Sequence, residues 1–321
     1  MSNIVLDGIM GLCVADALGV PVEFTGREVL RKSPVTGMRS FGTYNQPAGT
    51  WSDDTSMTLC LTDSLSKGLD YNDIMKRFIM WFEEGKYTPH GEVFDVGNAT
   101  RKALMRFQSG SAPLECGGLS DHDNGNGSLM RILPIVYYIL ANYGTEITEN
   151  EEAMKIIHNV SALTHAHIRS LIACGIYCSI AAMLIGSLEL STAVSLGISK
   201  AVEFYRRHEE YSDELSHYER LNNKSFAAVP VEEIKSSGYV VDTLEAAVWC
   251  LLNSNNYKEC VLMAVNLGED TDTVAALAGG LAGLYYGYDS IPQEWLSVVV
   301  RRDYVEGICS KLYEALSQRN F

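Results

Sequence analysis

Alternating runs of β-branched and polar residues, the mark of a half-buried strand, are nearly absent from this chain. One helical pattern follows another instead. Residues 3–18 are apolar and small, and Gly19-Val20-Pro21 stops them. Met57, Cys60, Leu61 and Leu65 recur at helical spacing, with Gly68 as the expected C-cap. Asn72 is placed to N-cap a helix running to Gly85, and Val96–Phe107 reads as another. The period returns at Leu244, Ala247, Val248 and Leu251, and again at Tyr257, Val261, Ala264 and Val265. Ala275, Gly279 and Gly283 put small residues on one helix face, where a neighbouring backbone could come close. The best extended candidate is "GYVVDT" at 238–243, and it is short. The fold expected is all-α, with many helices in one compact domain over residues 1–321.

The net charge is −15, which argues against a nucleic acid as partner. An anionic ligand would need a local positive source, such as a metal ion or a helix N-terminus. The 8 cysteines form no C-x-x-C pair and mostly sit in apolar helical patterns. They read as reduced thiols, and a cytoplasmic location is expected. No secretory signal is evident at "MSNIVLDGIM". The apolar runs Leu171–Ile185 and Val274–Tyr286 fall short of the ~20 residues of a membrane span and read as buried helices. The charged run at 205–220 reads as one solvated helix.

Oxygen side chains gather at two places. "GTWSDDTSM", residues 49–57, sets Ser52, Asp53, Asp54 and Thr55 where a helical pattern begins. "NLGEDTDTVAALAGG", residues 266–280, sets Asp270, Asp272 and Thr273 at the start of another. Helix capping accounts for Asp, Ser and Thr in such places, but one cap uses one residue. Either knot alone reads equally as capping or as cation binding. Together they suit hard cations such as Mg²⁺ or Mn²⁺, because converging aspartates without a cation would repel and protonate. A third acidic turn, "GLCVADALGVPVEF" at 11–24, carries Asp16 and Glu23. His165 and His167 are two apart, which is wrong for a zinc pair on one helix face. By itself His165 reads as a structural, hydrogen-bonded histidine. His90 and His122 lie in loops and take no role. Gly279, Gly280 and Gly283 read as helix packing.

These segments resemble the ADP-ribosylglycohydrolases, a family that includes dinitrogenase-reductase-activating glycohydrolase, vertebrate ADP-ribosylhydrolases and jellyfish crystallins. The acidic segments match together with "FDVGNATRKAL", "GNGSLMRILPI", "LTHA" and "GYVVDTLEAAVW", in family order from about residue 8 to residue 287. The resemblance implies a site for two divalent cations, Mg²⁺ or Mn²⁺. Ser52, Asp53, Asp54, Asp270, Asp272 and Thr273 would be the ligands. It implies Glu23 and Asp95 as the groups near the scissile bond that move protons. Gly125, Asn126, Gly127, Ser128 and Met130 match the loop and helix start that hold the ADP-ribose diphosphate. His165 matches a ligand contact, and Tyr239 a residue packing near the ligand.

The expected activity is hydrolysis of the bond between ADP-ribose and an acceptor, above all arginine of an ADP-ribosylated protein. The partner would be that protein; no membrane is expected, and the chain is expected to be a monomer. Asp clusters also clamp phosphoryl groups, so a two-metal phosphohydrolase or nucleotide pyrophosphatase is the alternative. The crystallin branch keeps a non-enzymatic ADP-ribose-binding protein in view.

Overall fold

The computed structural model describes residues 3–186 and 188–317. Fifteen α-helices occur among them. The first five are α1 (Ile4–Gly19), α2 (Arg27–Lys32), α3 (Asp53–Leu65), α4 (Tyr71–Glu84) and α5 (Asn98–Gln108). Then come α6 (Pro134–Tyr143), α7 (Glu151–Ala162), α8 (Ile168–Ile185), α9 (Leu190–Arg206) and the single turn α10 (Ser212–Leu215). The last are α11 (Val240–Leu252), α12 (Tyr257–Asn266), α13 (Thr271–Tyr286), α14 (Gln293–Leu296) and α15 (Arg302–Ser317). No strand forms among the described residues. Three isolated bridges, Phe41–Gln46, Gly118–His165 and Gly125–Tyr239, tie loops together.

The core is built on α1 against α13. Both are apolar nearly all round, as helices buried on every side must be. Their small residues let the backbones touch: a Cβ on Gly279 would stand 2.5 Å from the Gly11 carbonyl. A Cβ on Gly280 would meet the Tyr177 hydroxyl at 2.9 Å, so this glycine set serves packing as expected. Where α1 ends, a Cβ on Gly19 would lie 2.5 Å from the Asp272 nitrogen, and Thr271 Oγ1 donates to the Gly19 carbonyl at 2.8 Å. The end of α1 is thereby pinned to the start of α13. The Ile168–Ile185 helix is long and apolar enough to cross a bilayer, but 78% of it is buried inside the fold, as is 89% of Ile4–Val22.

Several local expectations are corrected. Asp70, not Asn72, caps α4, accepting from the Asn72 nitrogen at 2.8 Å; Gly85 ends it in the left-handed region as expected. Ser66 rather than Gly68 follows α3 as its C-cap. The helix expected at Val96–Phe107 runs Asn98–Gln108. "GYVVDT" is not extended: α11 begins at Val240, and only Tyr239 keeps a bridge partner. The run at 205–220 is not one helix. It leaves α9 and breaks into short turns because Tyr205 and Tyr218 are both buried and pull successive turns inward.

Candidate active site

At the start of α3 the capping work is done by other residues than Asp53 and Asp54. Ser52 Oγ accepts from the Asp54 nitrogen at 3.2 Å. Asp16, reaching over from α1, accepts from the Ser52 nitrogen at 3.0 Å, the Thr55 nitrogen at 3.1 Å and Thr55 Oγ1 at 2.5 Å. The first-turn N–H groups being satisfied in this way, the carboxylates of Asp53 and Asp54 are left free of cap duty. Asp16, in the last turns of α1, is thus a brace for the first knot.

At the start of α13, Asp270 is the N-cap residue by position, yet its side chain makes no capping bond. Its Oδ2 accepts instead from Asn126 Nδ2 at 2.8 Å. The two knots meet where Thr273 Oγ1 donates to Asp54 Oδ2 at 3.3 Å. Glu23 arrives from a 3₁₀ turn, Val20–Val22, that continues α1. Its loop is fastened to the second knot by two backbone bonds, Phe24 N to Glu269 O at 2.7 Å and Glu269 N to Thr25 O at 2.9 Å. Phe24 and Glu269 both have φ of 62°, and Asp95 has φ of 54°. Non-glycine residues in this region are strained, and here they flank the acidic residues.

Carboxylate oxygens of Glu23, Asp95 and Asp272 come within 4.8 Å of one another. Burial above all, then Asp95, pushes Glu23 up to about 8. Burial and Asp270 lift Asp95 to about 6. Burial, followed by neighbouring carboxylates, raises Asp53, Asp54 and Asp272 well above their ordinary values. Buried oxygens without a hydrogen-bond partner include Glu23 Oε2, Asp54 Oδ1, Asp270 Oδ1 and Asp272 Oδ2. Such atoms are costly unless something answers them. Hard oxygen donors in this number, mutually repelling and unanswered by protein, fit a divalent cation.

A cavity of about 280 Å³ opens over this floor. Glu23, Asp53, Asp95, Asp270 and Thr273 line it, as do Gly125, Asn126, Gly127, Met130 and His165. Ser52, Asp54 and Asp272 lie buried beneath. Ser128 and Tyr239 are not among the residues that line the cavity. Ser128 turns its hydroxyl inward, accepting from Ser161 Oγ at 2.8 Å. Tyr239 instead lies with the Arg169 guanidinium 5.7 Å from its ring centroid. Nor does a helix follow "NGNGS" directly. Residues 127–131 are turns, and α6 starts only at Pro134, because the chain must first bury Leu129, Arg131, Ile132 and Leu133.

The helix that does open into the cavity is α5. Gly97 caps it without a side-chain bond, and Gly97, Asn98, Ala99 and Thr100 all line the wall. Thr100 Oγ1 is buried and unpartnered. This anion-seeking feature was missed in the sequence, although a Gly directly before a helical pattern, two residues after Asp95, was its signal. His122, set aside as a loop residue, also lines the cavity. So was Tyr44 missed: its ring lies 5.1 Å from that of Phe94, and its hydroxyl lowers both Glu23 and Asp95 against the rise that burial causes.

An all-helical body that brings acidic helix starts together beneath a glycine-lined cavity defines a class of helical enzymes with a cation-type cradle. The family model described as ADP-ribosylglycohydrolase matches residues 2–320, and the chain belongs to that family. It is similar to the ADP-ribosylarginine hydrolase Tri1 of Pseudomonas putida (strain GB-1), 30% identical over 97% of this chain and 78% of that one. It is also similar to the ADP-ribosyl-[dinitrogen reductase] glycohydrolase of Rhodospirillum rubrum, 31% identical over 91% of this chain and 88% of the other. A solved structure, titled ADP-ribosylglycohydrolase-related protein complex, superposes with a TM-score of 0.77 at 28% identity, covering 98% of both chains.

Proposed function

We propose that this protein hydrolyses the glycosidic bond joining ADP-ribose to arginine in an ADP-ribosylated protein and releases ADP-ribose. The observation that carries the reading is the set of four buried, unpartnered carboxylate oxygens on Glu23 and Asp270, which line the cavity, and on Asp54 and Asp272 beneath it. The names of the two bacterial relatives support the substrate class, the first of them arginine as acceptor.

Two divalent cations, Mg²⁺ or Mn²⁺, would be held by Asp53, Asp54, Asp270, Asp272 and Thr273, with Ser52 supporting Asp54. When bound, such ions neutralise the carboxylates and stabilise charge that develops on ribose oxygens. The chain's own residues supply the rest. Glu23 and Asp95 lie close enough that ionising one holds the proton on the other. Such a pair can take a proton from an attacking water and give one to the departing acceptor. Asn126 holds Asp270 in place through its amide. The open start of α5 and the glycine turn offer backbone N–H groups to the diphosphate without Lys or Arg. All eight cysteines are free and buried, which supports a reducing, cytoplasmic setting.

The test is incubation with an arginine-ADP-ribosylated protein in Mg²⁺, in Mn²⁺ and in EDTA, with product identification. Intact ADP-ribose, released only with metal, is expected. AMP or phosphate as product would replace this reading with a phosphohydrolase.

A further inference from the structure

Behind the ligand-facing wall lies a buried cation with no anion beside it. Arg131 is fully buried, and among the described residues no carboxylate pairs with it. Its Nη atoms donate to the Val160 carbonyl at 3.3 Å and, through Nη2, to Thr164 Oγ1 at 2.7 Å, while the guanidinium carbon stands 4.7 Å from the centroid of Phe78. An unpaired buried guanidinium is expensive to keep. Its cost points to a task that a neutral side chain could not perform.

The task is visible one bond further on. Thr164 Oγ1 lies 2.9 Å from His165 Nδ1. A hydroxyl carries one proton to give. Arg131 has no lone pair to receive it, so Thr164 accepts from Arg131, and among the described residues His165 Nδ1 is the one acceptor within hydrogen-bond reach of the Thr164 hydrogen. That nitrogen is then an acceptor, and the ring proton sits on Nε2. The backbone fixes the ring as well: His165 N donates to the Ser161 carbonyl at 2.9 Å, and Ala166 N to the Gly118 carbonyl at 2.9 Å. The Nε2 edge faces the glycine turn, 3.3 Å from where a Cβ on Gly127 would be.

We infer that Arg131 and Thr164 are positioning residues that lock His165 in its Nε2–H tautomer, so that the cavity wall presents a neutral donor and reads an acceptor atom of the ligand. Burial and the Arg131 cation both oppose a second proton, holding His165 down to about 3. With the ligand proposed above, the acceptor is an oxygen of the diphosphate or of a ribose. The inference rests on that reading only for the identity of the ligand.

The experiment is ¹⁵N NMR of histidine-labelled protein together with ADP-ribose titration. In the free wild-type protein His165 should show an unprotonated Nδ1 and a protonated Nε2 at pH 7. Thr164→Val removes the donor to Nδ1; the tautomers should mix, and the dissociation constant for ADP-ribose should rise roughly tenfold. Thr164→Ser should restore both. A wild-type ring protonated at Nδ1, or a Thr164→Val protein with unchanged tautomer, overturns the lock. The tautomer is read without ligand, so it decides the inference even if wild-type protein fails to bind ADP-ribose, a result that would overturn the functional reading instead. It also decides it without any variant, should Thr164→Val not fold.

Discussion

Thr273 Oγ1 donates to Asp54 Oδ2 at 3.3 Å, across 219 residues of chain. This one bond joins the start of α3 to the start of α13. It makes the two acidic knots a single object, whose parts do different work: Ser52 and Asp16 cap, and the carboxylates of Asp53 and Asp54 do not. Asp53→Asn should therefore lower turnover of arginine-ADP-ribosylated protein by at least ~100-fold while circular dichroism stays native. Because the substitution removes one of several repelling carboxylates, the melting temperature in EDTA should rise. An active Asp53→Asn enzyme would overturn the assignment.

Metal removal should destabilise the protein in a pH-dependent way. Glu23 and Asp95 are pushed above their ordinary values, to about 8 and about 6, and Asp53, Asp54 and Asp272 rise too. Groups with a raised folded pKa cost nothing while protonated in both states. The penalty grows as pH climbs from the unfolded carboxylate range near 4 toward 8. Bound cations cancel it. The gap in melting temperature between Mn²⁺-loaded and EDTA-treated protein should widen from pH 5 to pH 8. A gap that narrows would show that the cluster is not where the metal acts.

Gly127→Val should weaken ADP-ribose binding several-fold or more. A Cβ there would come within 2.8 Å of His165 Cε1 and 3.2 Å of Thr100 Oγ1, so the side chain displaces two groups of the cavity wall at once. Isothermal titration with ADP-ribose checks this. Unchanged affinity would remove the glycine turn from the ligand site.

Gly19→Ala tests how the fold aims the site. The added methyl would stand 2.5 Å from the Asp272 nitrogen and 2.6 Å from the Thr271 carbonyl, backbone atoms that cannot step aside. The two helix ends must separate, which costs about 1–3 kcal/mol for an overpacked contact and shifts Asp272 from its partners. Chemical denaturation and the metal-induced rise in melting temperature should both fall. A variant with wild-type stability and metal response would show that the contact is not what sets the geometry.

The helices were legible because the core is thick enough for periodicity to survive, and the acidic knots because so many oxygens at two helix starts exceed what capping needs. The misreadings share a physical cause. Val240 and Val241 look extended by β-branching, but their burial against the helical core overrides local propensity. Asp16 was visible as an odd charge in α1, yet only the approach of α3 reveals it as a brace. Thr100, His122 and Tyr44 lie on segments whose patterns say nothing of which way a side chain points. Ser128 failed for the same reason: the turn at 127–131 sends its hydroxyl inward to Ser161, while Gly127 and Met130 line the cavity.

Acid sensitivity of the fold should come in part from a histidine that does not line the cavity. His158 is buried between two phenols, with Nε2 2.9 Å from the Tyr205 hydroxyl and Nδ1 3.2 Å from that of Tyr211. Burial first, then the nearby His208, lowers it from 6.5 to about 4. His208 itself faces Glu151 at 3.3 Å. Between pH 6.5 and 4 the unfolded chain binds a proton at this position that the folded chain refuses, so stability falls as pH drops through that window. It levels below 4, where both states are protonated. The integrated effect is about 3 kcal/mol at most, from a shift of this size at 1.36 kcal/mol per unit. His158→Gln keeps a polar group between the phenols but cannot titrate. Its unfolding free energy should be lower than wild type at pH 7, and the difference should shrink toward pH 4. A difference that stays constant across that range would mean that His158 takes up its proton in the folded protein as readily as in the unfolded chain.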